Sequence, residues 1–536
     1  MATGDIPPHF YLNPSEHFAY HYGLQVYAAI LMRTAGLQAW SSFDLSRAFS
    51  LALTFWLSVA WFSRYMRSQL AVISSALLTV FAGGTRWLLL LIPTSLLERI
   101  SAQIVMINTG ANTASTLIEA LGSTWVLEGA AGIAFPFAFH NGIFMPAHFI
   151  LGSTGAMPFF TVMLILVMVP KIRLKVPAGI ILTLITASLA LSAENIFVFF
   201  WLGIAASLLL FVISDRGGEP LNHRGSRKLW VWVLLSSAFL AVIQGGFITE
   251  FIRTALLGIT GTAGSVTANY HGFSLRFPPA LPNAHVEALQ VSNISHLIVL
   301  LFELGPVLIL VPLVFSQTQR WILGGKIERA GLSAAALLGF VFPLFVQYGV
   351  DRSSTRLAGT SMWLWLVLGL PLFSMWLKKR RELTRTVSVL GLGLAAISGI
   401  IIFSLEMTVI HKPQFTYFVD HIDARVSSRY WDRLPEGSQV LDRIPYRSVT
   451  LFGRPAHAFS GIYSPLPFWR SLVSAPYIQD VIEADFQYVY MDSDWWSDIE
   501  PAMRESYKAD CVKLIDEISY KNVEFRRLYD LRACAD

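Results

Sequence analysis

The sequence predicts an all-α polytopic membrane domain of about ten transmembrane helices, followed by a small C-terminal α/β extracytoplasmic domain. Three observations carry this. Of 536 residues, 54% are hydrophobic and only 14% charged, against about 25% charged in an ordinary soluble chain. Apolar runs of spanning or near-spanning length recur as far as residue 408. Basic residues fall in every second connection between those runs, the mark of cytoplasmic loops.

The elements follow in order. Residues 1–44 read as an extracytoplasmic loop with an interfacial helix over 17–36, anchored by Tyr20, Tyr22, Tyr27 and Leu31. The start is polar and Pro-rich and lacks the basic and apolar regions of a signal peptide. Residues 45–408 form the polytopic domain, with apolar runs at 48–63, 70–92, 157–170, 176–193, 195–214, 229–248, 296–316, 330–350, 358–377 and 388–408. The run at 157–170 is short for a span of roughly 20 residues and is expected to begin a few residues earlier. Gly83-Gly84-Thr85-Arg86 interrupts the run at 70–92, so its second half is expected at the interface.

The basic connections carry Arg64 and Arg67; Lys171, Arg173 and Lys175; Arg216, Arg224, Arg227 and Lys228; Arg320, Lys326 and Arg329; and Lys378–Arg381 with Arg385. Placed in the cytoplasm, they leave outside the long loops 93–156 and 249–295, the turn at 194–195, the short segment 351–357 and everything after 409. The expected location is the plasma (inner) membrane. Loop 93–156 is Gly/Ala-rich with Trp125, Phe135, Phe137 and Phe139, and is expected to pack on the bilayer or dip into it.

In the tail 409–536 charge rises and turn signals appear, as at Leu434-Pro435-Glu436-Gly437. Strands are predicted at Gln439–Leu441, Val449–Phe452, Tyr488–Met491, Val512–Ile515 and Phe525–Leu531, with helices near Ile478–Glu483 and Glu500–Tyr507. This alternation predicts a small α/β domain. Cys511 and Cys534 are the two cysteines of the chain. An oxidising compartment favours a disulfide between them, worth about 3 kcal/mol by chain entropy, over two buried thiols.

The net charge of +5 lies between apolar runs rather than in a basic stripe with interleaved aromatics, which sets nucleic acid aside as a partner. No GxGxxG at a strand–helix junction, Walker loop, GxSxG or HExxH occurs. Candidate chemistry lies in ionisable residues at the outer face. Asp5, with His9, Glu16, His17 and His21, could supply a general base or oxygen ligands to a divalent cation, or could be a solvated loop. Arg86, after two glycines, has a planar fork suited to phosphate, but could also snorkel to headgroups. Glu194 either caps the next helix or lines a cavity. Asp351, Arg352 and Arg356 share a short loop, where the two arginines could grip a lipid-linked phosphate or pair with the acid. Arg276, with Glu98, Glu128, His140, His148 and His285, falls in the long loops. Arg443, Arg447 and Arg454 are expected on a solvated face, with glycan or phosphate binding as the alternative. No metal site is assigned to particular residues.

Gly4-Asp5-Ile6-Pro7-Pro8, Tyr20-His21-Tyr22-Gly23, Gly83–Trp87, Asp351–Arg356, and in the tail 434–441 and 486–491 together resemble the GT-C superfamily of membrane glycosyltransferases. The resemblance implies a polyprenyl-phosphate-linked sugar as donor, used at the outer face. It implies Arg86 with Arg352 or Arg356 on the donor phosphate, and Asp5 or His21 assisting the acceptor hydroxyl. That superfamily usually opens with a transmembrane helix ahead of an acidic outer loop. This chain opens in what looks like the loop, implying a first helix upstream or a divergent form. Two other functions fit the layout: a non-catalytic subunit of a membrane complex, and a transporter or flippase of lipid-linked glycans.

Overall fold

The computed structural model describes the chain except residues 1, 3, 19, 107–113, 123–148, 150–153, 170–175, 215–220, 260–272, 282–285, 349–354, 410–418, 461–463, 522 and 536. Two compact units form: Tyr20–Leu24 with Arg47–Lys412, and Met1–Ala19 with Gln25–Ser46 and Pro413–Asp536.

The first unit is a helical bundle. Among the described residues, seven helices are long and apolar enough to cross a membrane: Ala39–Phe62, which starts in the other unit, Glu194–Ile213, Ser226–Ile243, Ile294–Leu323, Ile327–Phe345, Leu357–Leu377 and Glu382–Ser404. Gln69–Phe81, Met157–Met168 and Pro177–Ser192 are apolar but shorter. The protein is thus largely helical and multi-pass.

Several boundaries differ from those expected, each for a local reason. The first long helix begins at Ala39, well before residue 48. Its Ser50, Thr54 and Ser58 hydroxyls bond carbonyls one turn back and are buried. These polar residues hide on the packed face while Phe49, Leu53 and Trp56 stay exposed, so hydropathy understates the helix. The Met157 helix does not begin earlier, because Gly155 adopts a φ of +52° and Pro158 stands in the first turn. Positive φ at Gly245 and Gly246 divides the run at 229–248, and a separate helix, Phe247–Ile259, follows.

A tight helix crossing lies between Glu194–Ser214 and Ile327–Phe345. A Cβ on Gly203 would stand 2.2 Å from the Gly331 carbonyl oxygen, so glycine alone permits this approach.

Gln69–Phe81 is broken where the sequence turns to glycine. Gly83–Thr85 run irregularly into a 3-10 turn, Arg86–Leu91. Backbone in an apolar setting must have partners, and this segment finds them. Gly83 N donates to Ala395 O at 2.8 Å, Thr85 N to Phe302 O at 2.7 Å, and Ser398 Oγ to Gly84 O at 2.6 Å. Its principal neighbour is itself broken: Ile294–Leu304 ends at Gly305, whose φ is +68°.

The second unit is α/β. Strand Lys513–Tyr520 pairs with Glu524–Asp530, which pairs antiparallel with Tyr488–Asp492, which pairs parallel with Val440–Leu441. Aromatic and aliphatic side chains of Phe486, Val489, Met491, Trp495 and Tyr529 fill one face. Tyr488, Tyr490, Phe452 and Leu528 fill the other. The amino-terminal segment joins this core. Leu12 is buried in it, Ala456 N donates to Tyr11 O at 2.8 Å, and Ala458 N donates to Leu12 O at 2.9 Å. The strand expected at Val449–Phe452 is instead the end of a helix, Pro445–Phe452, with proline in the first turn and a left-handed Gly453 as its stop. Cys511 and Cys534 are joined in a disulfide, their Cα atoms 4.9 Å apart.

Candidate functional site

Residues 20–24 form the core of the site. Gly23 lies against the end of the Val176–Ser192 helix, where a Cβ would meet Ser192 Oγ at 2.5 Å. Tyr22, expected at the interface, is buried, and its hydroxyl donates to the Gln244 carbonyl. Gln244 Nε2 in turn reaches Ala187 O at 3.1 Å. A positive φ at Gly246 lets the chain pass the Tyr20 carbonyl, 3.3 Å from where a Cβ would sit.

This wedge sets His21 beside Glu194. Glu194 is the first residue of its helix, where the exposed N–H groups favour a carboxylate. Its Oε2 lies 3.0 Å from His21 Nδ1, across 173 residues of sequence. The side chains are 16% and 23% exposed for His21 and Glu194, open enough to meet a solute and enclosed enough to hold one geometry. The Tyr20 ring packs 3.7 Å from the imidazole, centroid to centroid. Nδ1 is thus engaged by a carboxylate, which sets the orientation of the ring.

The remaining predicted residues are placed differently. Asp5 belongs to the other unit, where Oδ1 lies 2.8 Å from His9 Nδ1 and Oδ2 accepts from His9 N at 2.7 Å. Arg86 is 3% exposed and ion-paired with Glu303, which is 1% exposed. Arg276 ties neighbouring strands: it donates to Ala280 O at 3.1 Å and to Gln347 Oε1 at 3.0 Å. Asp351, Arg352 and the Arg356 side chain lie outside the described residues, as do Glu128, His140, His148 and His285. Among the described residues, no three His, Cys, Asp or Glu side chains converge on a point that could hold a metal ion.

Two of the three tail arginines, Arg447 and Arg454, are not on a solvated face. Arg447 is buried between Asp442, at 2.6 Å, and Asp492, at 2.8 Å. Arg454 is buried against Asp432 at 2.6 Å. Glu303 escaped the sequence reading although it interrupts an apolar run, and an acid there carries the same signal that drew attention to Arg86. No protein-family model matches this chain, and no curated protein matches its sequence.

Proposed function

We propose that the chain is a multi-pass transferase of the GT-C type, moving a sugar from a polyprenyl-phosphate donor to an acceptor hydroxyl at the outer membrane face. The observation that carries this reading is the His21–Glu194 pair at 3.0 Å. Glu194 holds the ring through Nδ1–H and stabilises the imidazolium. Nε2 takes the acceptor proton as its oxygen bonds the anomeric carbon and the bond to the donor phosphate breaks, releasing polyprenyl phosphate. Asp5, engaged by His9, is not needed in this scheme. Arg352 and Arg356 remain the cations proposed for the donor phosphate.

In this reading the chain makes ten crossings, with both termini and the disulfide-bearing domain outside the plasma (inner) membrane. The two ends fold into one unit, which supports an even number of crossings. The seven long helices make an odd number, and the three shorter ones bring the total to ten. The disulfide suits an oxidising compartment, and the alternate basic loops suit the cytoplasm.

The test is release of polyprenyl phosphate by the full chain in proteoliposomes loaded with polyprenyl-phosphate sugars. His21→Gln should lower turnover about 100-fold or more with donor binding retained, and Glu194→Gln somewhat less. Wild-type turnover in His21→Gln would remove the assigned base. One observation favours a second reading, a non-catalytic membrane-complex subunit: Arg86 is committed to Glu303 rather than to a donor. Wild-type protein that releases no polyprenyl phosphate but co-purifies with other membrane proteins would decide for that reading.

A further inference from the structure

The turn between Thr355–Leu377 and Glu382–Val409 concentrates unusual charge. Lys378, Lys379, Arg380, Arg381 and Arg385 fall within it or in the first turn beyond, all exposed. Elsewhere the buried cations are matched: Arg86 has Glu303, and Arg447 has two aspartates. Among the described residues none of these five has an ion-pair partner, although Glu382 lies among them. Five unmatched like charges on so short a segment repel one another and draw anions.

The surroundings select the kind of anion. Arg380 stacks over the Trp376 ring at 4.5 Å, and Trp376 stacks on Phe373 at 5.8 Å. An indole under a guanidinium is the arrangement of a headgroup boundary. Directly beyond Arg381, Leu383, Val387 and Leu390 form one stripe of the next helix, 77%, 60% and 66% exposed. Helix side chains tilt towards the N-terminus, which turns Arg385 back to the turn. The free N–H groups of that helix start add positive potential. A soluble anion would use the cations and leave the stripe in water. A phospholipid uses both, phosphate on the cations and acyl chain on the stripe.

We infer that this turn is a binding site for anionic phospholipid headgroups, separate from the proposed transfer site. The full chain, purified in mild detergent, is exchanged into equal mixtures of phosphatidylglycerol and phosphatidylcholine, and retained lipid is counted by native mass spectrometry. Wild-type protein should retain phosphatidylglycerol preferentially, and inorganic phosphate at millimolar concentration should not displace it. The triple variant R380Q/R381Q/R385Q should lose most of the preference, roughly fivefold in affinity per cation removed. Leu383→Gln/Val387→Gln should weaken retention with all five charges intact. No preference in the wild type overturns the proposal, whether or not the variants fold. Complete displacement by free phosphate also overturns it, since the site would then be ionic only. Unchanged preference in the triple variant would place the lipid elsewhere.

Discussion

Both units of this protein bury charge, and they do so in opposite ways. In the helical bundle one arginine meets one glutamate, Arg86 with Glu303, both almost wholly enclosed. Their elements are broken helices, and the pair sits where Gly83–Thr85 hydrogen-bonds beside Phe302. In the α/β unit the charges around Tyr490 share partners. Arg447 bridges Asp442 and Asp492 and covers the Tyr490 ring at 5.1 Å. The Tyr490 hydroxyl donates to Asp423, which also accepts from Arg526 at 3.0 Å. Asp420 pairs with Arg526 at 2.6 Å while capping the helix His421–Tyr430. The lesson is one of redundancy. Removing one member of an enclosed ion pair leaves the other's charge buried, whereas a network with backbone donors redistributes the loss.

The comparison breaks first at Glu303. Glu303→Leu leaves the Arg86 charge enclosed without its carboxylate, and Arg86→Met does the reverse. Each single substitution should cost about 3–5 kcal/mol in denaturant unfolding of the detergent-solubilised chain. The double variant should recover most of it, because two apolar side chains of similar volume need no partner. A double variant as unstable as the singles would show that the pair contributes more than mutual neutralisation.

Arg447→Met comes next. Asp442 loses its bidentate partner, but Asp492 keeps Arg443 at 3.0 Å and the Trp495 N–H at 2.8 Å. We expect a loss of about 2–3 kcal/mol, read as faster hydrogen exchange in Tyr488–Asp492 and Val440–Leu441. A loss as large as that at Glu303 would erase the distinction between pair and network.

What the sequence disclosed follows the same division. Among the described residues, the ten apolar runs coincide with seven helices long enough to cross a membrane and three shorter apolar ones, because an apolar surface is written directly in hydropathy. Ends were misplaced where polar residues hide on packed faces, as at Ser50 and Thr54, or where a glycine breaks the chain, as at Gly245. The strands at 488–492 and 524–530 were legible as short strand-like runs at Tyr488–Met491 and Phe525–Leu531. Val449–Phe452 was not, because its β-branched residues lie in a helix set by Pro445 and Gly453. For the site, His21 and Glu194 were each visible as ionisable residues beside apolar helices. Their meeting was not visible, since a gap of 173 residues leaves no local signal. Arg447 read as solvated because its partners are supplied by two parallel strands that only the fold aligns.

The smallest expected effect concerns acid. Burial raises both Asp442 and Asp492, but the outcome differs. For Asp442 burial prevails over Arg447 and lifts the carboxyl above its usual value of 3.8. For Asp492, Arg447, the Trp495 N–H and Arg443 outweigh burial and hold it below. The signs therefore oppose. Asp492 contributes stability that is full above its unfolded value and is lost as pH falls through its lower folded value. Asp442 contributes stability that is full below its unfolded value and is lost as pH rises through its higher folded one. On acidification from neutrality, protection of Tyr488–Asp492 should first rise as Asp442 takes a proton, then fall as Asp492 does. Asp442→Asn should abolish the rise and keep the fall. Hydrogen exchange of the full chain, corrected for intrinsic rates, reads both limbs. A rise that persists in Asp442→Asn would move the buried acid to another residue of the network and leave Asp442 a fixed charge.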